Sequence, residues 1–226
     1  MKKLVLSCVV LAAVIAMFAQ ERFDMKVRDY FFAGFRGNDA SLEKGMKICE
    51  DALAANPKDA EAMVWHGSGV YFKSGLAFQK GDPQTGMELW TRGNDEMDRA
   101  VALAPDSIVV RIPRGSVLLT SSHYIPDPET ARTVIEKGVS DFEKTYELQK
   151  SDFAKLGPHA RGELMLGLAD GYSRLGQTEK ATHWFERIRT EMKGTRYEDS
   201  ANLWFKTKSL PPQQAGCLGC HTGGQP

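Results

Sequence analysis

The sequence lacks an excess of charge, has few cysteines and contains only one long apolar run. Its 29 Lys and Arg residues balance 29 Asp and Glu residues, and 4 of its 226 residues are cysteines. Proteins that bind nucleic acid or anionic membranes usually carry basic patches, so this balance argues against both kinds of partner. The sequence also has no phosphate-binding loop, no paired catalytic carboxylates and no nucleophile beside a general base. We therefore expect neither an enzyme nor a nucleic-acid-binding protein.

The long apolar run lies near the N-terminus, from Leu4 to Phe18, and directly follows Lys2 and Lys3. A positive start before a short apolar run is typical of a secretory signal peptide, and a membrane span would need ~20 apolar residues. We predict that residues 1–19 are this signal, with an uncleaved N-terminal anchor as the alternative. The protein is then exported, to the bacterial periplasm or the cell-surface side of the membrane, and it contacts the membrane only if the segment is retained.

The body of the chain, residues 22–208, has the apolar spacing of helices and no period of two residues. Apolar residues recur at i, i+3, i+4 and i+7, and turn signals of Gly, Pro, Asn and Asp interrupt them at regular intervals. These signals predict four helical hairpins and a short capping helix. The predicted helices are 22–36, 40–55, 59–79, 84–103, 107–122, 128–149, 158–175, 178–192 and the cap near 196–207.

The stretch GLADGYSRLGQTEKATHWFERI, residues 167–188, resembles the tetratricopeptide repeat. The residues that carry the resemblance are Leu168, Ala169, Tyr172, Gly176, Ala181 and Phe185. Outside this hairpin the match is degenerate, because Pro57 and Pro105, which each follow the end of a repeat-like helix, are 48 positions apart (105 − 57). The family repeats every 34 residues or so. The resemblance implies an all-α, right-handed solenoid of about four hairpins, with a concave face that binds peptides or partner proteins.

After the body, residues 209–226 form a tail that two prolines and several glycines predict to be extended and flexible. Its segment CLGCH, residues 217–221, resembles the haem attachment motif of c-type cytochromes. The resemblance covers the motif and not a cytochrome fold. It implies one covalent haem c, bound through the sulfurs of Cys217 and Cys220, with His221 as an axial ligand of the iron. Export favours this interpretation, because such haems are attached outside the cytoplasm.

Other roles stay open for the two cysteines of the tail. They could form a disulfide, although redox pairs of this spacing usually start a helix in a thioredoxin-like fold, which the sequence does not predict. They could bind zinc, but a structural zinc site needs four ligands and the tail supplies three. Beyond the signal the remaining cysteine is Cys49, which the repeat pattern places on a core face. A chance pattern is the third alternative.

The sixth iron ligand is not evident, since none of the five residues after His221 can bind iron. The ligand could come from the body, another subunit or solvent, or be absent. His183, beside Trp184 on the last hairpin, is our first candidate, and His159, at a helix start, is the second. For each of them a solvent-exposed helix position is the alternative interpretation.

The other polar residues of the body are predicted to be structural. Arg111 and Arg114 are expected to form ion pairs between helices, although they could instead hold haem propionates. His66 is expected to be packed, and Glu96, Asp98 and Arg99 are expected to form a solvated helix face. Pro113 is expected to interrupt its helix.

These observations predict an exported mono-haem electron-transfer protein whose helical body is a docking scaffold. Its partners would be protein redox partners or an exported multi-protein assembly, and the oligomeric state is open. The alternative is a non-redox exported adaptor that binds peptides or proteins, with the cysteine tail as a disulfide or metal site. A haem peroxidase or gas sensor is a third alternative, which needs an open sixth position on the iron.

Overall fold

A computed structural model describes residues 22–212 and is all-α within that range. Its helices are α1 (Phe23–Phe35), α2 (Asp39–Ala55), α3 (Ala60–Gln79), α4 (Pro83–Leu103), α5 (Ile108–Ser121), α6 (Pro128–Gln149), α7 (Pro158–Arg174), α8 (Thr178–Glu191) and α9 (Arg196–Thr207). Every predicted helix is present, with boundaries within one residue of the prediction. None of these helices is long and apolar enough to span a membrane. The predicted signal peptide, residues 1–19, lies outside the described residues.

The helix boundaries follow from capping residues that the sequence supplies. Side chains before four helices accept a hydrogen bond from a backbone N–H of the first turn, which would otherwise have no partner. These caps are Asn38 for α2, Asp59 for α3, Asp82 for α4 and Asp127 for α6. Gly176 has a φ of 74° at the turn between α7 and α8, a conformation that glycine adopts without strain. The predicted turn at Gly176 is therefore present.

The helices pair as hairpins, and neighbouring hairpins contact each other along the chain. α1 packs on α2, α3 on α4, α5 on α6, and α7 on α8. The first helix of each hairpin also contacts the first helix of the next, so that α1, α3, α5, α7 and α9 touch in sequence. Each hairpin thereby covers an apolar face of its neighbour, and burial of these faces is the main source of stability in such arrays.

The interior consists of two apolar clusters that meet at α5 and α6, one nearer each end of the described chain. The cluster nearer the C-terminus contains the predicted core residues of the last hairpin, all of which are buried: Leu168, Ala169, Tyr172, Ala181 and Phe185. The Phe185 ring stacks on Trp204 of α9 with 4.4 Å between ring centroids. Met165 and Met192 are buried in the same cluster.

The expectation that Pro113 interrupts its helix is wrong, because α5 runs through it from Ile108 to Ser121. Proline cannot donate the backbone hydrogen bond to the carbonyl four residues earlier, so the helix loses one bond there. The flanking residues compensate by packing, since Val110 and Leu118 are both fully buried. Burial of the apolar face of α5 thus outweighs the lost hydrogen bond.

Candidate functional site

The residues predicted to attach a haem, Cys217, Cys220 and His221, lie outside the described residues, so their role stays a prediction. The structure does describe the residues that precede this segment, up to residue 212. Lys208 caps the end of α9 in a left-handed conformation, and its Nζ lies 4.5 Å from the centroid of the Trp204 ring. Leu210 is then buried in the C-terminal cluster, so the folded body extends two residues beyond Lys208. The motif therefore begins seven positions after Leu210, the last described residue of the core (217 − 210).

His159 is exposed at the start of α7, and one of its ring nitrogens has a partner. Its side chain is 65% exposed, and its Nδ1 lies 3.0 Å from the hydroxyl oxygen of Tyr197, which begins α9. The Tyr197 hydroxyl donates to Glu163 Oε1 at 2.8 Å. Burial, followed by the charge of Glu163, raises the pKa of Tyr197, so this phenol stays protonated. A hydroxyl that donates a hydrogen bond to a carboxylate can at the same time accept a hydrogen bond from His159 Nδ1–H.

Two arginines, Arg161 and Arg196, lie at the same end of the helices as His159. Arg196 of α9 forms an ion pair with Glu163 of α7. Arg161 is held more loosely, since its Nη1 lies 3.8 Å from Glu191 Oε2 and its buried Nε has no hydrogen-bond partner within residues 22–212. The first turns of α7 and α9 therefore lie side by side, joined by ionic and hydrogen-bonded contacts.

His183 lies on the outer face of α8 and is exposed. Its ring is edge-on to Trp184, with 5.5 Å between ring centroids, and neither ring nitrogen has a hydrogen bond within residues 22–212. The two candidate ligands are far apart, because His159 starts α7 whereas His183 lies just past the turn at its other end. Helix geometry therefore separates the two histidines by on the order of 15 Å along the helix axis. The structure does not bring the two histidines together.

His66 is buried, as predicted, but the burial of its partner, Glu96, differs from the prediction. His66 Nδ1 lies 2.5 Å from Glu96 Oε2, and Arg92 Nε donates to Glu96 Oε1 at 2.8 Å. The Glu96 side chain is only 15% exposed, so the expectation of a solvated face is wrong for this residue, whereas Arg99 is exposed as expected. Burial alone would raise the pKa of Glu96, but the hydrogen bonds from His66 and Arg92 outweigh it and lower the pKa. The error arose because helix periodicity cannot show which neighbour covers a given face.

Arg111 and Arg114 form the predicted ion pairs between helices. Both bind Asp141 of α6, and Arg114 also binds Asp98 of α4, which in turn pairs with Lys137. Asp141 is fully buried. The two guanidinium groups are therefore engaged within the body, which leaves them poorly placed to hold a haem propionate.

Cys49 is buried and is a free thiol in the described part of the chain. Burial raises the pKa of the Cys49 thiol, so the thiolate that a metal needs is disfavoured. Residues 22–212 also contain no group of three or more His, Cys, Asp or Glu side chains that could hold a metal ion. A zinc site completed by Cys49 would thus require the thiol to leave the core.

Comparison with known proteins gives no match: no protein-family model, no curated protein and no solved structure matches this chain. The tetratricopeptide and cytochrome resemblances therefore depend on the residues themselves. Sequence reasoning missed Tyr197, the hydrogen-bond partner of His159. No signal within a single helix marks this pair, because the contact depends on how α7 and α9 lie against each other.

Proposed function

We propose that this protein is an exported mono-haem c-type electron-transfer protein whose helical body is a docking scaffold. The observation that carries the proposal is the CLGCH segment, residues 217–221, which follows Leu210, the last described residue of the core. Its two cysteines and adjacent histidine are then available for cofactor attachment.

In this proposal Cys217 and Cys220 hold the haem covalently through their sulfurs, and His221 binds the iron. A haem attached in this way supplies a one-electron redox couple. The protein's own residues determine how far the haem is exposed to solvent and to partner proteins. Electron transfer between proteins needs the edge of the cofactor to come close to a partner, and it requires no substrate pocket.

We further propose that the body is a divergent tetratricopeptide-like, right-handed solenoid. The sequential contacts of α1, α3, α5, α7 and α9 support this, because stacked hairpins of that family touch through their first helices. Such a stack offers a curved surface to a protein partner. Fold alone does not establish binding, so the docking role rests on the pairing of this body with a redox segment.

The experiment is expression of the full chain in a host that matures c-type cytochromes, followed by absorption spectroscopy of the purified, denatured protein. Haem absorbance that stays with the unfolded polypeptide supports the proposal, since only a covalent bond survives unfolding. The Cys217→Ala/Cys220→Ala variant should lose the absorbance and keep the helical circular dichroism of the body. A colourless wild-type protein with a disulfide or bound zinc would instead favour the non-redox adaptor.

A further inference from the structure

We propose that an exposed face shared by α8 and α9 is a docking surface for an acidic segment of a partner protein. Its residues are Arg189 of α8, Phe205 of α9 and Lys208, which caps α9, and we call them the cationic surface. The proposal rests on the docking role in the proposed function, but no step of it requires the haem. All three residues lie within the described part of the chain.

Two cations of this surface lie against one aromatic ring. The guanidinium carbon of Arg189 lies 4.9 Å from the centroid of the Phe205 ring, and Lys208 Nζ lies 5.1 Å from the same centroid. Lys208 Nζ also lies 4.5 Å from the centroid of the Trp204 ring, which is buried and stacked on Phe185. Such cation–π contacts hold both charges close together on a packed support without neutralising them.

The two charges have no carboxylate partner in the part of the chain that the structure describes. Arg189 and Lys208 are both exposed, and within residues 22–212 neither forms an ion pair with Asp or Glu. Arg187, two positions before Arg189, is in contrast paired with Glu191 at 2.7 Å. Neighbouring like charges repel each other, so an anion that contacts both lowers the electrostatic energy. An acidic group of another molecule is therefore the complementary contact.

Positive charge is concentrated at this end of the helical stack, although the whole chain is balanced. Residues 187–208 contain six Lys and Arg against three Asp and Glu, which gives a net charge of +3 (6 − 3). Residues 22–186 contain 21 against 25, which gives a net charge of −4 (21 − 25). Complementary potentials speed and orient the encounter of two proteins. A positive end on an otherwise acidic body therefore directs an acidic partner to α8 and α9.

The composition of the surface favours a protein partner over a nucleic acid or a lipid surface. Arg and aromatic side chains are enriched in protein interfaces, and the half-buried Phe205 supplies an apolar contact beside the charges. Nucleic acids and anionic membranes are usually bound through wider basic stripes or clusters. Here Glu186, which is exposed one turn before Arg189, limits the positive area on α8. A short segment with adjacent Asp or Glu side chains fits this surface.

The test measures binding of a fluorescently labelled octaglutamate peptide to the full-length protein by fluorescence anisotropy at low ionic strength. Wild type should bind saturably and lose affinity as salt is added. Arg189→Gln/Lys208→Gln should weaken the affinity at least about threefold, since exposed ion pairs each contribute modestly. Lys58→Gln/Lys80→Gln is the matched control, because it removes the same charge from two exposed lysines that have no ion pair within residues 22–212, and it should bind like wild type. Glu186→Gln should bind more tightly.

Equal losses of affinity in the two double variants would overturn the proposal, because binding would then follow net charge alone. A wild type that binds vesicles of phosphatidylcholine and phosphatidylglycerol but not octaglutamate would also overturn it, in favour of a membrane. Self-association of the wild type in analytical ultracentrifugation, lost in Arg189→Gln/Lys208→Gln, would assign the surface to a second copy of the chain and overturn it as well. Haem absorbance is recorded on the same samples: covalent haem without peptide binding refutes only the docking surface, and peptide binding without haem refutes only the electron-transfer role.

Discussion

Replacing Asp141 with asparagine removes a buried negative charge that two arginines share. Asp141 Oδ1 accepts from Arg111 Nη1 and Arg114 Nη2, both at 2.8 Å, and Oδ2 accepts from Arg114 Nε at 2.6 Å. Burial alone would lower the pKa of Arg114, but the hydrogen bonds and charge of Asp141 outweigh it and raise the pKa. Loss of the carboxylate therefore leaves the buried Arg114 guanidinium without the partner that offsets the cost of its burial.

The expected cost is about 3–5 kcal/mol, the usual effect of removing one partner from a buried ion pair. Asparagine keeps one acceptor oxygen, but its amide group faces the guanidinium groups as a second donor. Asp98 still accepts from Arg114 Nη1 at 2.7 Å, which keeps part of the network. The loss is large beside the 5–15 kcal/mol by which a typical domain is stable.

The assay is urea denaturation followed by circular dichroism at neutral pH. Asp106→Asn is the matched control, because Asp106 is 68% exposed and pairs with Lys144 at the surface. That variant should unfold at the wild-type urea concentration. If Asp141→Asn were as stable as the control, the buried network could not be holding α5 to α6 as described.

Three further predictions concern the packing and the buried glutamate, and each uses the same denaturation assay. Phe185→Ala should lower the free energy of unfolding by about 3–5 kcal/mol, since the ring is fully buried, and an unchanged value would disprove its place in the core. Gly171→Ala should destabilise by about 1–3 kcal/mol, because the added methyl would lie 2.4 Å from a side chain of α6. Gly75→Ala, with no heavy atom within 4 Å, should instead stabilise by about 0.5–1 kcal/mol, and equal effects at the two glycines would contradict the packing of α7. The lowered pKa of Glu96 should stabilise the fold above its unfolded pKa, and this contribution should be lost as pH falls through the folded pKa. Glu96→Gln should flatten that acid dependence, and an unaltered pH profile would show that the hydrogen bond from His66 is not important.

Local sequence signals were sufficient to predict the helices. Caps such as Asn38 and Asp59 and the turn at Gly176 act on residues adjacent in sequence, so their effect can be predicted without a structure. The core residues of the last hairpin were predicted individually because its pattern resembles that of a known repeat. Phe185 and Tyr172 are buried as expected.

Long-range polar contacts could not be predicted in the same way. His66 and Glu96 are 30 positions apart, and His159 and Tyr197 are 38 apart. Such pairs depend on how successive helices are rotated against one another, which periodicity within a single helix does not encode. The chemical motif itself, residues 217–221, was evident from sequence alone.

The central claim is that haem is covalently bound in the segment 209–226, and one measurement tests it directly. This segment follows Lys208 and contains no Lys or Arg, so trypsin should release it as one peptide. Mass spectrometry of the digest from protein matured with the c-type apparatus should find this peptide heavier by one haem. Fragmentation should place the added mass on Cys217 and Cys220. The same peptide recovered without haem, either with free thiols or two hydrogens lighter as a disulfide, would contradict the account.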